Sequence, residues 1–163
     1  MTLRLATEAD AGLISEMAHR IWRAHYPSVI GSEQVEYMLN LNYTPEALVK
    51  QMQAGQQFFL PEWENQVLGY AAVSKQEPGK YFLHKFYIDN GRRGAGMGKI
   101  ILERVLAQCP DMTEMRLTVN RQNFKSINFY FKVGFVIESC IDIPIGGGYE
   151  MNDFQMVFRT PVV

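Results

Sequence analysis

The chain lacks most of the features that would assign it to a metal, disulfide, membrane or nucleic-acid class. Its two cysteines, Cys109 and Cys140, have neither metal-site nor CxxC spacing, so we expect free thiols. No stretch approaches the roughly 20 apolar residues of a membrane span, and the N-terminus has no signal-peptide-like apolar run. A net charge of −1, from 16 basic and 17 acidic residues, gives no general attraction to nucleic acid or anionic membranes. We therefore expect a cytoplasmic protein with no metal, nucleic-acid or membrane partner.

Length and composition predict a single folded domain. The chain has 163 residues, of which 47% are hydrophobic, and this is enough to build a sizeable core. No internal repeat, low-complexity tract or linker divides it. We therefore expect one domain over residues 1–163.

The segment from Arg92 to Lys99 (RRGAGMGK) is the most informative part of the chain. It follows residues 81–88, which are rich in aromatic and β-branched side chains, and it precedes apolar residues at helical spacing that stop before Pro110. At a strand–turn–helix junction of this kind, free backbone N–H groups and the positive end of the helix dipole point to one place. Glycines let a diphosphate approach the backbone, so this segment predicts a phosphate site.

Spacing separates the phosphate-binding motifs that could explain this turn. A P-loop needs glycine where Arg93 lies and Ser or Thr where Ile100 lies. A dinucleotide-binding fingerprint needs a small residue at the position of Lys99 or of Ile101. Both patterns fail, and a glycine-rich hairpin turn without a ligand stays as the alternative interpretation.

A second motif covers residues 123–135 (NFKSINFYFKVGF). Asn123 and Ser126 suit the start of a helix, and Gly134 suits its end. One predicted helix and one predicted strand, residues 114–119, separate this motif from the glycine turn. In this order and spacing, the two segments resemble the two acyl-CoA signatures of the GCN5-related N-acetyltransferase (GNAT) superfamily.

The resemblance implies a fold and a reaction. The expected fold is α/β (α+β), with a mixed, mostly antiparallel central sheet of about seven strands flanked by helices. A splayed parallel pair, residues 81–88 and 114–119, would form the CoA cleft. The element order read from the chain, β, two or three helices, βββ, α, β, α, ββ, agrees with that fold. The implied reaction is direct transfer of an acetyl group from acetyl-CoA to a primary amine.

The resemblance also implies cofactor contacts in three places: the edge of the first cleft strand, the glycine turn and the start of the second motif. The corresponding residues are Phe86, Tyr87, Ile88, Arg93, Gly94, Ala95, Gly96, Met97, Gly98, Lys99, Asn123 and Ser126. Capping of the following helix is the alternative role for Asn123.

Tyr130 matches the tyrosine that serves as the general acid in the family, and packing on a helix face is its alternative role. His84 is the local candidate for the general base, because an ordinary histidine pKa near 6.5 suits proton transfer at neutral pH. Strand alternation predicts that His84 and Phe86 share a face, and Lys85 is interpreted as a solvated charge or a phosphate neighbour. The rival bases are a water relay or the carboxylates Glu36, Glu138 and Asp153.

The acceptor pocket in this fold is built by the first helices and the final hairpin. The predicted substrate-binding residues are Trp22, Tyr26, Tyr37, Tyr149 and Asp153, with further acidic side chains nearby. Segments YPSVIGSEQVEYML and YEMNDFQM have a faint similarity to the polyamine acetyltransferase branch, which favours a small cationic amine or polyamine. A protein N-terminal or lysine acceptor, a non-catalytic acyl-CoA sensor, a nucleotide-binding protein and a homodimer are left open.

Overall fold

A computed structural model of the chain describes residues 1–89 and 96–161. The strands are β1 (Thr2–Leu5), β2 (Gln57–Trp63), β3 (Gln66–Val67), β4 (Gly69–Glu77), β5 (Lys80–Ile88), β6 (Glu114–Asn120), β7 (Val136–Gly146) and β8 (Tyr149–Arg159). The helices are α1 (Ala11–His25), α2 (Pro27–Ile30), α3 (Ser32–Asn42), α4 (Pro45–Gln53), α5 (Met97–Leu106) and α6 (Phe124–Val133). The predicted cofactor contacts of Arg93, Gly94 and Ala95 lie outside the described residues.

Local capping signals explain where several helices begin. The Thr44 hydroxyl accepts a hydrogen bond from the Ala47 N–H at 3.1 Å, and Pro45 occupies the first turn of α4. The Asn123 side chain caps α6 in the same way, and Gly134 ends that helix in the left-handed conformation. The four-residue helix α2 was not predicted. It follows α1 directly, with a proline at its first position.

The sheet has the order β1-β2-β4-β5-β6-β8-β7, and the two-residue strand β3 pairs with β2 at one side. Among the described strands, β5 and β6 form the one parallel pair, and the other pairs are antiparallel. The predicted mixed, mostly antiparallel sheet is confirmed. It contains eight strands rather than about seven, since the short β3 adds one.

The parallel pair opens into a cleft. Strand β5 pairs with β6 only where residues 80–82 lie opposite residues 114–116. Beyond that point, β6 keeps its antiparallel pairing with β8 as far as Asn120 opposite Asp153, while β5 stays paired with β4. The β5 edge that faces away from β4 therefore lacks a β6 partner after Phe82, which is the splay that the resemblance implied.

Two buried apolar clusters hold the helices to the sheet. One cluster lies around α5 and α6 and includes Ile101, Met115 and Phe135. The other lies under α1, α3 and α4 and includes Leu39 and Leu48. Burial of side chains of this size contributes roughly 1.5–3 kcal/mol each to folding. The cleft opens between these clusters. In the part of the chain described here, no helix has the length and apolarity needed to span a membrane.

Candidate active site

A β-bulge at His84 shapes the first wall of the cleft. Leu83 lies opposite Val73 on β4, whereas Lys85 lies opposite Ala72, so His84 is an extra residue without a partner. A bulge of this kind interrupts the alternation of side chains along the strand.

The bulge overturns the prediction that His84 and Phe86 share a face. His84 Nε2 lies 2.6 Å from the Ser74 hydroxyl, on the face of β4 opposite to the buried Val73. Phe86 instead stacks on Phe129 of α6, with ring centroids 5.8 Å apart. Simple alternation fails here because one strand carries one more residue than its partner.

A cavity of about 620 Å³ occupies the cleft. Of the predicted catalytic and acceptor residues, Trp22, Tyr26, His84, Tyr130 and Asp153 line it. Of the predicted cofactor residues, the lining includes Phe86, Tyr87, Asn123 and Ser126. The remaining predicted residues within the described ranges are not part of this lining: Tyr37, Ile88, Gly96, Met97, Gly98, Lys99 and Tyr149.

Tyr37 and Tyr149 hold the last hairpin against α3 rather than lining the cavity. Their ring centroids are 5.1 Å apart, and the Tyr37 hydroxyl donates to the Ile145 carbonyl at 2.7 Å. The predicted substrate contacts of these two tyrosines therefore find no support in the shape of the cavity.

Aromatic rings form the wall on the acceptor side. Trp22 stacks on Tyr26 with centroids 4.5 Å apart, and it contacts Tyr43 and Tyr87 at 5.2 and 5.8 Å. All four rings line the cavity. Tyr43 could not be predicted from the sequence, because its only local signal is its position before the Thr44 cap.

Tyr130 lies on α6 and lines the cavity, and its ring packs against neighbouring aromatic rings. Its ring contacts Phe129 and Phe135 edge to face, with centroids 5.4 and 5.5 Å apart. Burial raises the pKa of the Tyr130 phenol well above its ordinary value. The hydroxyl therefore stays protonated at neutral pH and can act as a donor.

Asp153 is a buried carboxylic acid in the same cavity. It lies on β8 with 3% of its surface exposed, and burial raises its pKa to about 6. A hydrogen bond with Thr118 and the charge of Arg121 oppose this rise. Arg121 also forms an ion pair with Asp142. At pH 7 most Asp153 side chains are thus ionised, with a proton affinity suited to general base catalysis.

The other two carboxylates proposed as bases lie outside the cavity in ion pairs. Glu36 accepts a hydrogen bond from Arg23 at 2.7 Å on the surface. Glu138 lies 2.8 Å from Arg116 and 3.0 Å from Arg159. The Arg116 hydrogen bond is the main cause that lowers the pKa of Glu138 to about 2. Neither group suits proton transfer at neutral pH.

His84 has a lower proton affinity than an ordinary histidine. Burial, together with the charge of Lys85, lowers the pKa of His84 to about 4. The imidazole is therefore neutral at pH 7 and a weak base, which corrects the expected value near 6.5.

Lys85 is buried, which corrects its interpretation as a solvated charge. Only 8% of its surface is exposed, and burial lowers its pKa to about 8. The Nζ atom lies 5.4 Å from the Tyr43 ring centroid and 5.5 Å from the Phe58 ring centroid. After the bulge, this position on β5 faces the cluster under α3 and α4, so the side chain enters the protein.

Two glycines at the N-terminus of α5, Gly96 and Gly98, have different surroundings. Gly96 precedes this helix with φ +87°, and among residues 1–89 and 96–161 no heavy atom lies within 4 Å of the position that a Cβ atom would take there. Gly98 packs closely, since its Cβ would lie 3.2 Å from the Phe129 ring. Lys99 is exposed and lies 3.8 Å from Glu103. Free N–H groups at this helix start fit an anionic ligand.

The family follows from comparison with known proteins. The acetyltransferase (GNAT) domain family matches residues 28–139. The chain belongs to the GNAT acetyltransferase family. It is an N-acetyltransferase of the acyltransferase class, and its acyl donor is acetyl-CoA.

The chain is also similar to individual N-acetyltransferases in sequence and in fold. An uncharacterized N-acetyltransferase of Mycobacterium tuberculosis is 25% identical over 151 residues, which cover 91% of this chain and 96% of that one. Peptidyl-lysine N-acetyltransferase YjaB of Escherichia coli is 33% identical over 61% of this chain and 68% of its own. The fold matches the PaiA N-acetyltransferase of Thermoplasma acidophilum in complex with coenzyme A, with a TM-score of 0.80, 22% identity and coverage of 98% and 100%.

The GNAT cleft of this chain fits its cofactor in two respects. The unpaired β5 edge after Phe82 offers backbone hydrogen-bonding groups to an amide-rich arm. Among the described residues, nothing fills the space beside Gly96, and the N-terminus of α5 suits a diphosphate. Asn123 caps α6 by accepting from the Ser126 N–H at 3.2 Å, which confirms its capping role. Its cofactor contact stays a prediction.

Proposed function

We propose that this GNAT enzyme acetylates a primary amine directly, with Asp153 as the general base and Tyr130 as the general acid. The observation that carries the proposal is one cavity lined by both groups, one with a pKa suited to accepting a proton and one that stays protonated. We further propose that residues 1–163 form one GNAT domain.

Acetyl-CoA supplies a thioester, whose acyl carbon forms the new N–C bond while its C–S bond breaks. Asp153 accepts the proton that the amine must lose, either before attack or as the new bond forms. Tyr130 donates a hydrogen bond or a proton to the departing sulfur. Direct transfer needs no covalent enzyme intermediate, so neither Cys109 nor Lys85 is required as a nucleophile.

The cofactor residues are proposed from the cleft geometry and the family motif. The backbone of residues 86–88 would bind the pantetheine arm as an added strand. The turn from Arg93 to Lys99, with Gly96 at the helix start, would bind the pyrophosphate.

A small cationic amine or a peptidyl lysine is the proposed acceptor. The stacked wall of Trp22 and Tyr26 can hold the chain of an amine, and Asp153 supplies negative charge. The polyamine expectation loses support, because Tyr37, Tyr149 and the carboxylate of Glu36 lie outside the cavity. The name of the E. coli relative, peptidyl-lysine N-acetyltransferase, favours lysine as the second candidate.

An acceptor panel tests this proposal. We expect acceptors with a protonated primary amine, among them amino acids, polyamines and lysine peptides, to release free thiol from acetyl-CoA faster than neutral amino sugars or alcohols. Thermal shift with acetyl-CoA, CoA, ATP and NAD should show stabilisation by the CoA ligands. Stabilisation by acetyl-CoA without turnover of any amine would favour the sensor alternative. Turnover confined to neutral amino sugars or to alcohols would contradict the amine class proposed here.

Gly96→Val is expected to weaken acetyl-CoA binding at least tenfold while the protein still folds. A β-branched residue is strained at φ +87°, and its side chain would fill the space beside the α5 start. Gly31→Val is the matched control, because Gly31 precedes α3 with φ +82° and also has open space around its Cβ position. Calorimetric titration with acetyl-CoA measures both variants. Equal affinity of Gly96→Val and the parent for acetyl-CoA would contradict the assignment of an anion site at Gly96.

A further inference from the structure

Lys85 is a buried cation that the proposed reaction leaves unused. Among the described residues, its one hydrogen-bond partner is Gln56 Oε1, at a long 3.4 Å. The rings of Tyr43 and Phe58 provide the other contacts of the ammonium group, at 5.4 and 5.5 Å. The side chain is more than nine-tenths buried, with 8% of its surface exposed.

Lys85 has no anionic partner among residues 1–89 and 96–161. The ion pairs found there join other side chains, and no carboxylate raises the pKa of Lys85 against the effect of burial. A buried ammonium group without a counter-ion is unfavourable, and two aromatic faces compensate for only part of the lost hydration. The cost of burying this charge is therefore not offset by the described residues.

Lys85 lines the cavity together with Asp153 and Tyr130, so a ligand bound there can offset this cost. An ammonium group can only donate hydrogen bonds. A buried ammonium group whose one acceptor among the described residues is the long contact to Gln56 favours a ligand that brings an anionic oxygen.

We propose that Lys85 binds a carboxylate of the acceptor, so that the preferred acceptor is a small primary amine of the amino-acid class. The inference rests on the proposed function, since it adds a second anchor to the same amine. Asp153 attracts the amine end, and Lys85 attracts the carboxylate end through a charge-assisted hydrogen bond. A polyamine lacks the carboxylate and brings a second positive charge towards Lys85.

Matched pairs of amino acids and amines that differ only in the carboxylate test this anchor. Suitable pairs are glycine and methylamine, 4-aminobutyrate and propylamine, leucine and isopentylamine, and lysine and cadaverine. The parent enzyme should show a kcat/KM at least roughly tenfold higher for the carboxylate member of one or more pairs. Equal kcat/KM within every pair would overturn the proposal while leaving the amine acetyltransferase proposal standing.

Lys85→Met removes the charge and keeps the length of the side chain. We expect kcat/KM for the preferred amino acid to fall roughly 30- to 100-fold, with less than a threefold change for its amine partner. The melting temperature should not fall, since a buried unpaired charge is removed. Lys50→Met is the matched control, because Lys50 is exposed on α4. A preference that survives in Lys85→Met would assign Lys85 a purely structural role.

Binding of the reaction products gives a readout that needs no turnover. In calorimetry, the parent should bind N-acetylleucine more tightly than N-isopentylacetamide, and Lys85→Met should bind both equally. If no amine is acetylated but this difference is present, the proposed function fails and the carboxylate site stands. If the two products bind the parent equally, the carboxylate site fails whatever the turnover.

Discussion

Asp153→Asn is expected to lower kcat roughly 100- to 1000-fold at pH 7 while raising the stability of the protein. The amide keeps the size of the side chain but cannot accept the proton of the attacking amine. In the parent, the rate should rise with pH through about 6, the pKa of Asp153. The variant should lack this rise, and a pH profile of kcat measures the difference.

The stability effect of this substitution has a definite sign. Because the pKa of Asp153 is raised from 3.8 to about 6 in the folded protein, folding favours the protonated acid. Its contribution is complete below about pH 4 and is lost as pH rises through 6. At pH 8, the buried charge costs roughly 2–3 kcal/mol, which the neutral amide avoids. We expect Asp153→Asn to melt about 5–10 °C above the parent at pH 8, with a smaller difference near pH 4.

Two comparisons separate this effect from general changes. Glu16→Gln is a carboxylate-to-amide control at an exposed position of α1 and should change neither kcat nor the melting temperature. His84→Gln tests the rival base. The pKa of His84 is lowered to about 4, so its loss should leave the rise near pH 6 in place. If that rise disappears in His84→Gln but survives in Asp153→Asn, the base has been assigned to the wrong residue.

Much of the fold could be predicted because its signals are local. Thr44 and Asn123 act through N–H groups three residues away, and Gly134 ends α6 through its own backbone conformation. Such contacts depend on a few neighbouring residues and need no knowledge of the sheet. The motif at residues 123–135 was therefore placed on the correct helix.

The environment of the catalytic groups depends on residues distant in the chain. The bulge at His84 arises from the register between β4 and β5, which no local pattern in β5 reveals. That register turns Lys85 towards Tyr43 and Phe58, and burial then lowers the pKa of both His84 and Lys85. Proton affinity in the cavity was thus misjudged wherever ordinary pKa values were assumed.

The aromatic residue type alone does not distinguish a tyrosine that lines the cavity from one that packs against the last hairpin. Tyr26 lies between α1 and α2 and Tyr37 lies on α3, yet Tyr26 stacks on Trp22 and Tyr37 binds the last hairpin. The contacts that decide the role of Tyr37 are with Ile145 and Tyr149, which are distant in the chain, so they depend on tertiary packing.

Tyr130→Phe is expected to reduce kcat roughly 10- to 1000-fold with nearly unchanged affinity for acetyl-CoA. Phenylalanine keeps the edge-to-face contacts with Phe129 and Phe135, which are 5.4 and 5.5 Å from the Tyr130 ring. It removes only the hydroxyl that would donate to the departing sulfur, and loss of a general acid has this magnitude. The raised pKa of Tyr130 keeps the donor protonated over the usual assay range, so the defect should persist from pH 6 to pH 9.

Tyr81→Phe provides the matched control for this prediction. Tyr81 and Tyr130 are equally buried, each with 8% of its surface exposed, but Tyr81 lies outside the cavity lining and donates to Asp111 at 2.6 Å. Its loss should cost roughly 1 kcal/mol of stability without a change in kcat. Single-turnover rates should be measured for both variants, because slow product release can hide a defect in chemistry. A normal single-turnover rate in Tyr130→Phe would show that this tyrosine only packs on α6 and that another donor assists departure of the thiolate.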